Sequence, residues 1–302
     1  MSSDRHERDF VGYGEQPPHA QWPGGARVAL SLCLNYEEGG EHAIPDGDDH
    51  SENMSLEVVG VPPLPGRRVP LFESMYEYGS RAGFWRLQRE LTQRALPVTV
   101  FAVGLALERN PEAAAAMARA GWEVTGHGWR WIDYATVPEA EEREQIRRTN
   151  ATIERLCGQT PTGWFTGRAS LATRRLAAEL GATYDSDSLA DDLPYWVEVA
   201  GQPHLVVPYT LDANDFKFLQ PNGFTGGDDF QRYLSDTLEQ LAEEGEVTPR
   251  LMSIGLHPRI VGRPGRMRGL ARFLDEVAAR GDVWVATRGE IARHWAATHP
   301  PR

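Results

Sequence analysis

The feature that most constrains this chain is a repeated alternation of short apolar runs with amphipathic helical segments. The runs include RVALSLCLNY from Arg27, PVTVFAVG from Pro97 and RLMSIGLH from Arg250. They are apolar on both faces, which is typical of buried parallel strands. Seven or eight strand-then-helix units follow one another without a Pro-, Gly- or Ser-rich linker. The pattern predicts a single α/β domain built as a (β/α) barrel, with a doubly wound open sheet as the alternative.

Two segments fall outside this alternation. Residues 1–25 are rich in proline, glycine and charge, and we expect an N-terminal arm there, so the barrel domain covers residues 26–302. Residues 39–72 show little periodicity and form a long loop. A loop of that length in a compact domain is usually functional or packed against a neighbouring subunit.

The charge and hydropathy pattern argues against several kinds of partner. The 302 residues carry a formal net charge of -12 and contain no Lys/Arg-rich run, so we expect neither nucleic acid nor an anionic membrane as a partner. The polar N-terminus has no apolar stretch typical of a secretory signal, and no apolar run is long enough to span a bilayer. Neither of the glycine-rich nucleotide-binding motifs, G-x-G-x-x-G and G-x-x-x-x-G-K-[ST], follows a predicted strand. We therefore expect a cytoplasmic protein that acts on a small molecule.

Polar residues stand where the predicted strands end, and parallel barrels carry their chemistry at those ends. In chain order they are Glu37, Glu38, His127, Arg168, Asp185, Asp187, Asp191, Asp192, Asp212, Asn214, Asp215, His257 and Arg259. Each has an alternative explanation when taken alone: the glutamates as solvated loop residues, Arg168 as a structural ion-pair partner, His257 as the end of a strand. Their joint placement at successive strand ends favours one active site.

Longer strings in the chain resemble the polysaccharide deacetylase superfamily, and within it the cofactor-independent allantoinases and cyclic-imide hydrolases. These strings are YEYGSRAGFWRL, RWIDY, DSDSLADDLPYW, VPYTLDANDFKF and GLHPRIVGRPGR. The resemblance extends from about Asp9 to Trp295. It implies a distorted (β/α)7 barrel that hydrolyses an amide C–N bond, and a homotetramer.

The resemblance also implies roles for individual residues. Metal-dependent members carry two aspartates after the first strand, a base followed by a metal ligand, which makes Glu37 the base and Glu38 the former ligand. Their other ligands come from H-x-x-x-H, which reads HGWRW here, so His127 is present and Trp131 replaces the second histidine. An indole N–H has no lone pair to give a metal. Glu38 and His127 are fewer than the three protein ligands of catalytic zinc, so no cofactor is predicted.

These residues predict a ring opening without a metal. We expect burial to raise the pKa of Glu37 towards neutrality, so that Glu37 deprotonates water. His257 would protonate the leaving nitrogen, and Arg168 or backbone N–H groups would stabilise the oxyanion. His127 would hold the ring beside Trp131. The expected substrate-binding residues are Glu38, Trp131, Asp187, Asn214 and Asp215.

Three functions remain open from the sequence. The first is a metal-independent hydrolase of a cyclic ureide or imide, with allantoin to allantoate in purine catabolism as the named reaction. The second is a metal-dependent deacetylase of an acetamido sugar or a small acylated metabolite. The third is a binding protein that kept the barrel and lost the chemistry, against which the retention of Glu37, His127 and His257 argues.

Overall fold

The computed structural model of the chain describes residues 8–54, 56–58 and 60–301. Within these ranges nine strands join in one sheet. The strands are β1 (Val28–Tyr36), β2 (Thr99–Ala102), β3 (Glu123–Gly126), β4 (Gly163–Trp164), β5 (Tyr184–Asp185), β6 (Tyr195–Val199), β7 (Gln202–Val206), β8 (Arg250–Leu256) and β9 (Val283–Val285). All of β1 is buried, because β8 pairs along one edge of it while β9 and β2 share the other.

The order of the strands is that of an opened, distorted barrel. It runs β6-β7-β5-β4-β3-β2-β1-β8, with parallel pairing throughout except in the β6–β7 hairpin. In the described part of the chain β7 and β8 do not pair, and a single bridge between Asn214 and Gly255 lies near this seam. The predicted fold, a single α/β domain with a distorted barrel, is confirmed.

Helices connect the strands and cover the sheet. They are α1 (Pro70–Tyr78), α2 (Phe84–Thr92), α3 (Gly104–Arg109), α4 (Pro111–Arg119), α5 (Glu139–Cys157), α6 (Thr173–Glu179), α7 (Gly227–Glu244), α8 (Pro264–Ala278) and α9 (Arg288–Thr298). Local sequence sets their ends: the Asn110 side chain accepts the N–H of Ala113 at the start of α4, and Gly158 adopts a left-handed φ of 70° after α5. None of the helices described is long and apolar enough to cross a membrane.

Helix α2 is part of a longer arrangement. A π-helical turn, Gly79–Gly83, joins α1 directly to α2. A side chain on Gly79 would collide with Glu38, and one on Gly83 would collide with the carbonyl of Pro258. The turn therefore allows this helix pair to approach the loops that follow β1 and β8, and such turns are frequent at functional sites.

The β6–β7 hairpin is a feature that the sequence did not predict. Its turn places Ala200 and Gly201 at φ values of 51° and 76°, as a two-residue type I′ turn requires. Before β1, Ala20 and Trp22 are buried in a cluster with Trp295, which ties the later part of the predicted arm to the barrel. Residues 1–7 of that arm lie outside the described residues.

The interior of the barrel contains a fully buried arginine. The side chain of Arg288, the first residue of α9, donates to the hydroxyls of Ser186 at 2.8 Å and Ser253 at 2.9 Å. Its guanidinium carbon lies 5.9 Å from the centre of the Phe101 ring. That ring is stacked in turn on His127, with 6.1 Å between ring centres. Arg288 and an aromatic layer therefore fill the barrel beneath the strand ends.

Candidate active site

Three of the strand-end side chains, those of His127, His257 and Arg259, surround the carboxylate of a fourth, Glu37. Glu37 Oε1 lies 3.1 Å from His127 Nε2 and 3.6 Å from His257 Nε2. Glu37 Oε2 lies 2.6 Å from Nη2 of Arg259. Because β1, β3 and β8 are parallel members of one sheet, their carboxyl ends bring these side chains together although they are distant in sequence. All four are buried.

The orientation of His127 is fixed by the loop that follows β4. Its Nδ1 lies 2.6 Å from the carbonyl oxygen of Phe165, which can only accept, so Nδ1 carries a proton. The imidazole is also stacked on the Phe165 ring at 5.1 Å with an interplanar angle of 16°. These two contacts direct Nε2 towards Glu37.

His257 is paired with a buried aspartate. Its Nδ1 donates to Asp215 Oδ1 at 2.6 Å, and the other carboxylate oxygen accepts the N–H groups of His257 and Val261. Burial alone would lower the pKa of His257, but the charges of Asp215 and Glu37 outweigh it and raise that pKa to about 9. His257 therefore carries its proton at neutral pH, with Nε2 towards Glu37.

The prediction that burial raises the pKa of Glu37 towards neutrality is wrong. Burial does act in that direction, but Arg259, His257 and His127 together hold the pKa of Glu37 well below its usual value of 4.5. Glu37 is accordingly ionised at neutral pH. The sequence placed Glu37 at the end of β1 but did not show how much positive charge surrounds it.

Glu38 is turned towards the protein interior. Its Oε1 accepts the N–H of Arg259 at 3.1 Å and its Oε2 accepts the N–H of Glu37 at 3.2 Å. Burial raises the pKa of Glu38, and repulsion from Glu37 adds to the rise against the opposing charge of Arg259. The structure thus places Glu38, a predicted substrate contact, as a brace between the segments that follow β1 and β8.

Arg259 extends the site across two aromatic rings. Its guanidinium carbon lies 4.5 Å from the centre of the Tyr76 ring and 5.5 Å from that of Trp131. Trp131 was predicted here, whereas Tyr76 comes from α1 and was missed. Arg259 is among the strand-end residues of the sequence but not among the predicted site residues. Its position two residues after His257, on the same strand end, was the available signal.

Arg168 lies at the outer side of this aromatic group. Its guanidinium carbon is 4.8 Å from the centre of the Trp131 ring, and its Nη1 is 4.0 Å from an oxygen of Glu52. Among the residues described, no ion pair joins Arg168 to Glu37. Arg259, rather than Arg168, contacts Glu37 directly.

The two remaining predicted contacts make hydrogen bonds within the protein. Asp187 accepts the N–H groups of Thr166 and Gly167, and burial, with the nearby charge of Asp185, raises its pKa to about 6. The amide of Asn214 has partners at both ends, the Tyr209 hydroxyl, the Thr210 carbonyl and the N–H of Phe216. Both side chains therefore shape loops around the site.

The residues present do not fit a metal ion. Across the described ranges no group of three or more histidine, cysteine, aspartate or glutamate side chains is arranged to hold one. Glu38 and His127, the two remaining candidates, are used in hydrogen bonds to the protein, and the guanidinium of Arg259 already balances the charge of both glutamates. A cation placed between the carboxylates would meet that guanidinium.

An ionised carboxylate, a protonated histidine with its own aspartate and a buried guanidinium form an acid–base centre at the carboxyl ends of barrel strands. Such a centre is of the kind that hydrolases use, with one group able to accept a proton and another able to donate one.

Comparison with known proteins agrees with this class. The family profile described as polysaccharide deacetylase matches residues 70–184. A polysaccharide deacetylase-type protein of Schizosaccharomyces pombe is 41% identical over 314 residues, covering 97% of this chain and 98% of its own. Two crystal structures have a TM-score of 0.95. One, from Pseudomonas aeruginosa PAO1, is 50% identical over 98% of this chain and 100% of its own; the other, the PuuE allantoinase, is 49% identical over 98% and 99%.

The chain therefore belongs to the polysaccharide deacetylase superfamily, in its allantoinase-like branch, as the resemblance predicted. Membership makes it a hydrolase of carbon–nitrogen bonds.

Proposed function

We propose that this hydrolase opens the ring of a cyclic ureide, with allantoin to allantoate as the preferred reaction, by acid–base catalysis without a metal. The observation that carries the proposal is the arrangement around Glu37, where His127, His257 and Arg259 all contact one carboxylate. The 49% identity to the PuuE allantoinase over nearly the whole chain supports allantoin as the substrate.

In the proposed reaction Glu37 takes a proton from water as the oxygen attacks a ring carbonyl. His257 then gives its Nε2 proton to the ring nitrogen, and the C–N bond breaks to leave a carboxylic acid and an N–H group. Loss of the proton from His257 removes one of the charges that lower the pKa of Glu37. Because the two groups are coupled, the two proton transfers favour each other.

Negative charge develops on the carbonyl oxygen during the attack, and a group must stabilise it. Arg259 is suited to this role because its guanidinium lies 2.6 Å from Glu37, and therefore next to the water that Glu37 would activate. The guanidinium of Arg259 can move from Glu37 towards the carbonyl oxygen as negative charge forms there. Such a movement would also raise the basicity of Glu37 when it is needed.

A substrate panel on chelator-treated protein tests the proposed function. The panel contains allantoin, hydantoin, dihydrouracil, succinimide and an N-acetyl sugar. We expect allantoin to be hydrolysed with the highest kcat/KM, and chelation to leave that value unchanged because the site does not depend on a metal. Hydrolysis of the acetylated sugar that disappears on chelation would instead establish the metal-dependent deacetylase. Binding without turnover would establish a binding protein.

The pH dependence of the reaction should follow the protonation of His257. A general acid must hold its proton, so we expect kcat/KM to fall as the pH rises through about 9, the raised pKa of His257. Asp215→Asn removes the larger of the two charges that raise this pKa, so the loss of activity at high pH should begin at a lower pH. Asp212→Asn, which alters an aspartate bonded to Thr210 and Tyr233, is the matched control. If kcat/KM of Asp215→Asn begins to fall at the same high pH as that of the parent, His257 is not the general acid.

A further inference from the structure

The carboxylate of Glu52, near the site, has one oxygen without a hydrogen-bond partner among the described residues. Glu52 lies in the segment between β1 and α1 and is only 3% exposed. Its Oε1 accepts the N–H groups of Asn53 at 3.0 Å and Met54 at 2.8 Å. Its Oε2 has no hydrogen-bond partner among the described residues. Buried polar atoms almost always have partners, so this acceptor is available to a donor from a bound molecule.

Arg168 is a positive group close to this oxygen. Its Nη1 lies 4.0 Å from Glu52 Oε2, which is longer than a hydrogen bond. The guanidinium also lies 4.8 Å from the centre of the Trp131 ring and is partly exposed. The pair therefore presents an acceptor and a donor side by side, next to a flat aromatic surface.

This pair is separated from the reaction centre by one indole ring. Trp131 lies 5.5 Å from the guanidinium carbon of Arg259, which in turn contacts Glu37. Tyr76 connects the same regions, because Arg259 stacks on its ring and its hydroxyl donates to the carbonyl of Met54 at 3.2 Å. Arg168 and Arg259 therefore lie near the same indole ring, one towards Glu52 and the other towards Glu37.

We propose that Glu52 and Arg168 bind a ureido group carried by the substrate ring. A ureido group has N–H donors and a carbonyl acceptor in one plane, which match the free oxygen of Glu52 and the guanidinium of Arg168. This inference rests on the proposed function and narrows it, because it selects a ring with a ureido arm over an unsubstituted cyclic amide. A site built to hydrogen-bond a polar group discriminates strongly against an analogue that lacks the group.

Allantoin and hydantoin test the proposal directly, since hydantoin is the same ring without the ureido arm. Glu52→Gln keeps the shape and one oxygen for the backbone N–H groups but removes the charge. We expect the ratio of kcat/KM for allantoin to that for hydantoin to fall by about tenfold or more. Arg168→Met should lower the same ratio, and it provides the test if Glu52→Gln does not fold.

The matched control is Glu57→Gln. Glu57 lies in the same segment but pairs with Arg266 at the surface, with 2.7 Å between Arg266 Nη1 and Glu57 Oε1. This variant should leave the ratio unchanged. Equal losses for both substrates in Glu52→Gln or Arg168→Met would overturn the proposal, because a merely structural role lowers both rates together.

A binding measurement separates this inference from the proposed reaction. If the protein hydrolyses neither compound, the proposed function fails, and calorimetry with Glu37→Gln and Glu37→Gln/Glu52→Gln still decides the role of Glu52. Tighter binding of allantoin than of hydantoin, lost in the double variant, supports the ureido site. Equal affinities, or no binding of either compound, overturn it.

Discussion

Glu37→Gln should lower kcat/KM for the preferred substrate by about 10²- to 10⁴-fold, the usual contribution of a general base. Glutamine has the size of glutamate but cannot accept the proton of water. The variant should fold but melt at a lower temperature, because Arg259 and His257 lose the carboxylate that balances their buried charges. Rates at several temperatures and a melting curve by circular dichroism separate the two effects.

Glu41→Gln is the control for this prediction. Glu41 belongs to the same segment and is also buried, and burial raises its pKa to about 7. Its Oε2 accepts the N–H of Gly39, and in the described structure it makes no hydrogen bond to either histidine. We expect only a small loss in this variant. Activity of Glu37→Gln within tenfold of the parent would show that Glu37 is not the base.

Arg259→Met should reduce kcat/KM by about 10²-fold or more, because it removes the group that we propose stabilises the oxyanion. The substitution should also change how kcat/KM depends on pH. Arg259 is the strongest influence holding down the pKa of Glu37, and without it the effect of burial raises that pKa. A base must be ionised, so the acidic limb of kcat/KM should move to higher pH.

Added guanidinium should restore part of the activity if the missing charge is the cause of the loss. Arg263→Met is the matched control, since Arg263 is in the same segment but stacks on Tyr78, with 3.6 Å between its guanidinium carbon and the ring centre. A loss that is uniform at every pH and that guanidinium does not rescue would assign Arg259 a purely structural role.

The sequence revealed the residues that parallel strands bring together. Glu37, His127 and His257 each follow an apolar run, and in a parallel sheet the carboxyl ends of such runs meet at one edge. Strand runs and helix signals such as Asn110 and Gly158 are local, so they are readable without a structure. The same reasoning identified the barrel.

The parts that could not be predicted depend on contacts between distant segments. Tyr76 and Glu52 reach the site from helix α1 and from the long loop before it. The sequence of this region has no hydrophobic periodicity that identifies which side chains face the site. The sign of the pKa shift of Glu37 depends on a balance between burial and the charge of Arg259, and a sequence shows neither distance nor burial. The turn of the β6–β7 hairpin contains Ala200 at positive φ, although alanine has no preference for that conformation.

The buried Arg288 has a consequence for the order of events in turnover. With Arg288 and Phe101 filling the barrel beneath His127, we expect molecules to reach Glu37 from the side of the strand ends. In the proposed reaction, substrate, water and the ring-opened product would then share this route. Product has to depart before the next ring can enter, so it should act as a competitive inhibitor, and its release sets an upper limit on the rate of the cycle.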